Sequence, residues 1–127
     1  MVRTLIVEDS TFFRKLFKET LHSRFPTMDI IEAADGEEAL QKTGALPPDL
    51  VFMDINLPGE NGLKVTKKIR TQYRDTVIII LTSYDLPEYR EAAERYKADY
   101  FLSKGSSTKE SIMALVKSIL SNREKRS

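Results

Sequence analysis

The sequence predicts an α/β fold: a five-stranded parallel sheet in the order 2-1-3-4-5, flanked by five helices in a doubly wound, flavodoxin-like arrangement. Three observations lead there. Short apolar runs take turns with stretches whose apolar residues step by three and four, the mark of strands alternating with amphipathic helices. Two runs, "LVFM" and "VIIIL", are apolar at every position, as central parallel strands covered on both faces should be. Strands joined through helices pair in parallel by right-handed crossovers. The three most apolar strands, the first, third and fourth, therefore belong at the centre, with the second and fifth at the edges.

Each element has its own signal. Leu5–Val7 is bounded by polar residues and too short for a helix, so it reads as the first strand. From Ser10 onward Phe13, Leu16, Phe17 and Leu21 recur at helical spacing until Pro26, which gives an amphipathic first helix. Met28–Ala34 is short and mixed, suited to an edge strand. Asp35 with Glu38 then forms a capping box for a second helix, which Pro47 and Pro48 end. After "LVFM", Leu63, Thr66 and Ile69 mark a third helix, and Val77–Leu81 is the fourth strand. Asp85, Pro87 and Glu88 start a fourth helix carrying Tyr89, Ala92, Ala93 and Tyr96. Tyr100–Leu102 is a last short strand, and Ser107 with Glu110 caps a final helix through Ile112, Leu115, Val116 and Ile119.

Composition narrows the classes. A chain of 127 residues fits one domain with a sizeable core and leaves no room for a second. No apolar run reaches the roughly 18 residues that cross a bilayer, and the early acids Glu8 and Asp9 are unlike a secretory signal. With no cysteine, disulfides and thiolate metal sites are excluded, and a cytoplasmic location is expected. Twenty basic against nineteen acidic residues give no reason to expect direct nucleic-acid binding. The basic end, with Arg123, Lys125 and Arg126, divides the chain into a domain over residues 1–121 and a tail or linker start over 122–127.

The unusual polar residues collect at one rim. In a parallel sheet the carboxyl ends of all strands lie together and form the ligand crevice. Strand one ends in Glu8 and Asp9, strand three in Asp54, strand four in Thr82 and Ser83, and strand five reaches Ser103 and Lys104. Taken singly, each has a plainer reading. Asp54 could be a turn former, Glu8 and Asp9 helix-start acids, Thr82 and Ser83 caps, and Lys104 a solvated lysine. Their joint placement changes the balance. Three crowded carboxylates repel, and a hard divalent cation with oxygen ligands, Mg²⁺ best, relieves them. A metal, an ammonium and a hydroxyl around a carboxylate suit phosphoryl transfer through an aspartyl phosphate. His22, the single histidine, sits in the first helix outside the rim and is not expected to be catalytic.

The stretches "LIVEDS", "LVFMDINLPGENGL", "VIIILTS" and "ADYFLSKG" together resemble the receiver domain of two-component response regulators (CheY-like), over residues 3–121. By that resemblance Asp54 is the phospho-acceptor, served by the phosphohistidine of a histidine kinase or phosphotransfer protein. Glu8, Asp9, Asp54 and the backbone carbonyl of Asn56 would hold Mg²⁺, and Lys104 would pair with the phosphoryl oxygens. Thr82 would swing toward the phosphoryl group while Tyr100 turns inward and the fourth helix shifts. The face of the fourth helix, fifth strand and fifth helix would then meet an effector, a linked output domain or a second copy. Asn56, Ser83, Tyr84 and Gly105 flank the site. Two departures stand out. Gly105 occupies a position where the family often has proline, and Lys97 one where many members have glycine, so a left-handed backbone there would strain Lys97.

Other functions stay in view. A Mg²⁺-dependent phosphatase with an aspartyl-phosphate intermediate would want an acid two residues after the nucleophile, where this chain has Asn56. A receiver-like scaffold that is never phosphorylated would have no use for the intact acids and Lys104. A flavin module of the same topology would be repelled at its phosphate loop by Glu8 and Asp9.

Overall fold

The structure, a computed structural model, describes residues 1–126, with side chains as far as Arg123. Strands and helices alternate throughout: β1 (Arg3–Val7), α1 (Thr11–Arg24), β2 (Asp29–Ala33), α2 (Gly36–Ala45), β3 (Leu50–Met53), α3 (Gly62–Gln72), β4 (Val77–Thr82), α4 (Pro87–Arg95), β5 (Tyr100–Ser103) and α5 (Lys109–Arg126). The strands pair in parallel in the order β2-β1-β3-β4-β5, as the apolar ranking predicts.

Side chains alternate across a strand, so each central strand feeds two cores. Leu5, Val7, Val51, Met53, Ile78 and Ile80 pack on one face against Ala39 of α2, Val65 and Ile69 of α3 and Ala93 of α4. Ile6, Leu50, Phe52, Ile79 and Leu81 pack on the other against Phe17 and Leu21 of α1 and Met113, Val116 and Ile119 of α5. The sheet is thus covered on both faces, which is why its central strands have no polar alternation.

Local chemistry sets the helix ends. Ser10 caps α1 by accepting from the Phe13 N–H, and Asp35 caps α2 by accepting from the Glu38 N–H at 2.8 Å. Glu38 in turn accepts from the Ala34 N–H, so the reciprocal bond falls one residue before the cap. Asn61 caps α3 through the N–H groups of Leu63 and Lys64. At α5 the expected Ser107 and Glu110 box is replaced by Thr108 and Ser111, each accepting from the other's backbone N–H. Ser107 is used elsewhere, its N–H closing the preceding turn on the Ser103 carbonyl. Leu16, expected among the apolar positions of α1, is exposed, because the contact face is set by Phe17 and Leu21. Asp85 caps nothing and grips Arg90 instead, with N···O distances of 2.5 and 3.1 Å.

The segment after residue 121 continues α5 as far as Arg126, and Arg123 bonds Asp49 at 2.7 Å. Ser127 and the side chains of Lys125 and Arg126 lie outside the described residues. Lys97 has φ of 68°, the left-handed backbone that its position at the end of α4 requires. No cis peptide bond occurs among the described residues, so Lys104–Gly105 is trans.

Candidate functional site

The parallel ladder extends just past its strands and seats the site. The Asp54 N–H donates to the Val7 carbonyl at 3.0 Å, and the Glu8 N–H to the Ala33 carbonyl at 3.0 Å, so these two carboxylates stand on neighbouring strand ends. Thr82 pairs with Ser103 across β4 and β5, and the Lys104 N–H donates to the Thr82 carbonyl at 2.8 Å. Lys104 is thereby delivered to the same rim from the edge of the sheet.

Glu8, Asp9 and Asp54 each offer one carboxylate oxygen within 4.8 Å of the others, with Glu8 and Asp54 buried and Asp9 exposed. The Lys104 ammonium sits between the two buried acids, bonding Glu8 at 2.5 Å and Asp54 at 3.3 Å. One cation thus serves two carboxylates. Burial pushes the Glu8 carboxyl above its ordinary range and the Asp54 charge adds to this, against hydrogen bonds from Lys104 and the Ser10 N–H that pull it down. The balance favours the proton more than in water, the condition that an added cation relieves. All-oxygen donors with two buried and one exposed carboxylate suit a hard divalent ion that keeps some of its waters.

The turn after β3 is built to hold Asp54. The Asn56 N–H reaches back to Asp54 Oδ1 at 3.4 Å, and Gly59 takes φ of 76°, where glycine is unstrained. Gly62, which no sequence motif singled out, begins α3 directly against the Asp54 backbone. A Cβ there would stand 1.9 Å from the Asp54 carbonyl oxygen. Its signal was available in "GENG", a glycine at a helix start just after the acid, but the close approach depends on the path of the loop.

The remaining expected residues lie around this centre without bonding to the carboxylates. Thr82 is fully buried, and its hydroxyl accepts from the Tyr84 N–H at 3.2 Å. Ser83, Tyr84 and Gly105 are exposed at the rim. Tyr100 is 39% exposed on the edge strand. His22 is exposed on α1, away from the acids.

The sequence profile of the response regulator receiver domain matches residues 4–117. The chain belongs to this family. The receiver domain is 33% identical over 115 residues to the oxygen regulatory protein NreC of Staphylococcus haemolyticus, a match covering 90% of this chain and 53% of that protein. It is 39% identical over 85 residues to a protein-glutamate methylesterase/protein-glutamine glutaminase of Syntrophus aciditrophicus, covering 66% of this chain and 24% of that one. The chain therefore spans about a quarter to a half of the length of these curated relatives. Among solved structures, a CheY-like receiver domain protein from Methanospirillum hungatei superposes with a TM-score of 0.91 at 25% identity, covering 100% of this chain and 99% of that one. The chemotaxis protein CheY4 of Vibrio cholerae superposes with a TM-score of 0.82 at 29% identity, covering 92% and 97%. These likenesses carry the regulatory receiver fold to this chain, and no helix among the described residues is long and apolar enough to cross a membrane.

Proposed function

We propose that the domain is a phosphorylation-activated signalling switch whose acceptor is Asp54. One observation carries the reading: Asp54 is a buried carboxylate that shares the Lys104 ammonium with Glu8, so a cation already stands where charge would develop on an incoming phosphoryl group. In the reaction an Asp54 oxygen attacks phosphorus, the P–N bond to the donor's imidazole breaks, and the electron pair leaves on that nitrogen. Water attacking the same phosphorus later returns the carboxylate and inorganic phosphate. Lys104 neutralises phosphoryl oxygens in both directions, and burial strengthens that interaction.

Glu8, Asp9, Asp54 and the Asn56 backbone carbonyl are the residues that would hold Mg²⁺, and the clustered oxygens fit it. Bound there, the ion would supply further charge neutralisation of the phosphoryl oxygens. Ser83, Tyr84, Asn56 and Gly105 border the opening and govern the approach of water.

The output we assign to Thr82 and Tyr100. The Thr82 hydroxyl accepts from the Tyr84 N–H, which leaves its own proton to donate to a phosphoryl oxygen, and Tyr100 is exposed on the edge strand, from which its ring would turn inward. Phosphorylation would bias that two-state equilibrium and change the α4–β5–α5 face. That face would contact an effector, a linked output domain or a second copy. The donor would be a cognate histidine kinase or phosphotransfer protein, and a cysteine-free chain of this kind fits the cytoplasm. The division into a domain over residues 1–121 and a tail or linker start over 122–127 belongs to the same proposal.

The deciding experiment is intact mass after incubation with phosphoramidate and Mg²⁺. Wild type should gain one hydroxylamine-labile phosphate and Asp54→Ala none. Sustained turnover of phosphate esters would favour the phosphatase, and no adduct on wild type would favour the unphosphorylated scaffold.

A further inference from the structure

Lys104 has three N–H donors, and the two carboxylates account for two of them. The third side meets an aromatic face: its ammonium lies 4.0 Å from the centroid of the Phe13 ring. A cation so placed is attracted to the ring quadrupole, more so where water is excluded. The Lys104 side chain is only 17% exposed. Phe13 also lines, with Phe17, Lys104, Ile112 and Met113, an apolar groove of about 200 Å³ between α1 and α5, so the lysine stem and the ring share one wall.

The ring is itself fixed from two directions. Its backbone N–H is capped by Ser10 Oγ at 3.2 Å, and the Ser10 N–H bonds Glu8 Oε2 at 2.9 Å. Glu8, Ser10, Phe13 and Lys104 thereby form a closed circuit, since Lys104 returns to Glu8 Oε1. Phe13 stacks on Phe17 at 5.9 Å, and Phe17 meets Phe52 edge-on at 4.7 Å. Phe52 lies on β3, two residues before Asp54, so an aromatic column ties the lysine's support to the strand that leads into Asp54.

We propose that Phe13 is a positioning residue for Lys104: its ring keeps the ammonium over the acidic rim while the hydrogen bonds on the other side are exchanged from carboxylate to phosphoryl oxygen. The inference rests on the reading of Asp54 as phospho-acceptor and adds a residue to that site. The ring contact survives the exchange, so Lys104 is not recruited from solvent at the moment of transfer.

The test follows phosphorylation by phosphoramidate, in which the P–N bond breaks, ammonia leaves and the Asp54 O–P bond forms. Phe13→Leu keeps an apolar side chain and removes the π face, and should slow phosphorylation by about three- to thirtyfold. Phe13→Tyr keeps the face and should restore most of the rate. In a Lys104→Ala background the leucine substitution should have no further effect. The same slowing with or without the lysine would mean packing alone and would overturn the proposal. A separate measurement needs no phosphate: the Lys104 ε-methylene protons should be shifted upfield by the Phe13 ring current and lose that shift in Phe13→Leu. An unshifted ε-methylene in wild type also overturns it. A wild type that accepts no phosphate while the upfield shift is present would instead overturn the functional reading.

Discussion

Gly62 and Asp54 touch backbone to backbone: the space in which a Gly62 Cβ would sit is filled by the Asp54 carbonyl oxygen, 1.9 Å from that position. Its next neighbours are the Asp54 carbonyl carbon at 2.8 Å and Ile55 Cα at 3.1 Å, so no flexible side chain can give way. The first turn of α3 is thus seated on the peptide that follows Asp54. The loop between them is closed by the Gly62 N–H bonding the Ile55 carbonyl at 2.9 Å.

Gly62→Ala should therefore be costly, because Gly62 is buried and what it would strike is backbone. Moving backbone on both sides of the contact should destabilise the domain by about 1–3 kcal/mol, as overpacking does. Because the shift falls on Asp54 itself, phosphorylation should slow even in the fraction that remains folded. Urea titration gives the first quantity, and the rate of mass gain with phosphoramidate the second. An alanine variant with wild-type stability and rate would contradict the contact.

Lys97 offers the opposite change. Its φ of 68° is one that a side-chain-bearing residue adopts at a cost, and glycine adopts freely. Arg70 bonds the Lys97 backbone carbonyl at 2.9 Å and needs nothing from its side chain. Lys97→Gly should stabilise the domain by about 1 kcal/mol, offset partly by the extra freedom glycine has when unfolded. The urea midpoint should rise with an unchanged slope.

The rim was legible because two independent rules coincide there. Parallel topology brings the strand ends together, and the sequence ends those strands on Glu8, Asp9, Asp54, Thr82 and Lys104. The strand order followed from the apolar content of three strands. What stayed hidden depends on where loops travel and how helices turn. Helical spacing marks Phe13 as apolar but cannot say that the first turn of α1 passes over the lysine of another loop. Ser107 and Thr108 are both plausible caps, and the choice is made by a turn that consumes the Ser107 N–H. Leu16 fits the helical period, yet Phe17 and Leu21 take the contact face of α1 and leave it exposed.

Arg70 is another residue whose role only the fold discloses. Its guanidinium bonds the Asp99 carboxylate at 2.6 Å and the carbonyls of Lys97, Tyr73, Arg74 and Thr76 at 2.7–3.2 Å. Asp99 also accepts from the Ile78 N–H at 2.8 Å, so this hub ties the ends of α3 and α4 to the start of β4. A lysine keeps the charge but not the fork of donors. Arg70→Lys should destabilise by about 1–3 kcal/mol, with faster hydrogen exchange at the Ile78 amide, while leaving the distant acidic rim able to take phosphate.

Glu8 gives a prediction whose sign reverses with conditions. Its folded carboxyl titrates above the ordinary value, chiefly because it is buried, with the Asp54 charge adding to that. Below the unfolded pKa the group is protonated in both states. As pH rises through the folded value it must ionise at a cost that the unfolded chain does not bear, and stability is lost. Glu8→Gln removes this cost and keeps an oxygen for Lys104. In EDTA the variant should be more stable than wild type near pH 8, and the difference should shrink toward zero near pH 4 as Glu8 takes up its proton. With Mg²⁺ the order should invert, since wild type gains the free energy of binding the ion and the variant, short of a charged ligand, gains less. Denaturant midpoints at the two pH values, with and without Mg²⁺, check all three steps; a variant less stable than wild type in EDTA at pH 8 would show that the Lys104 bond outweighs burial.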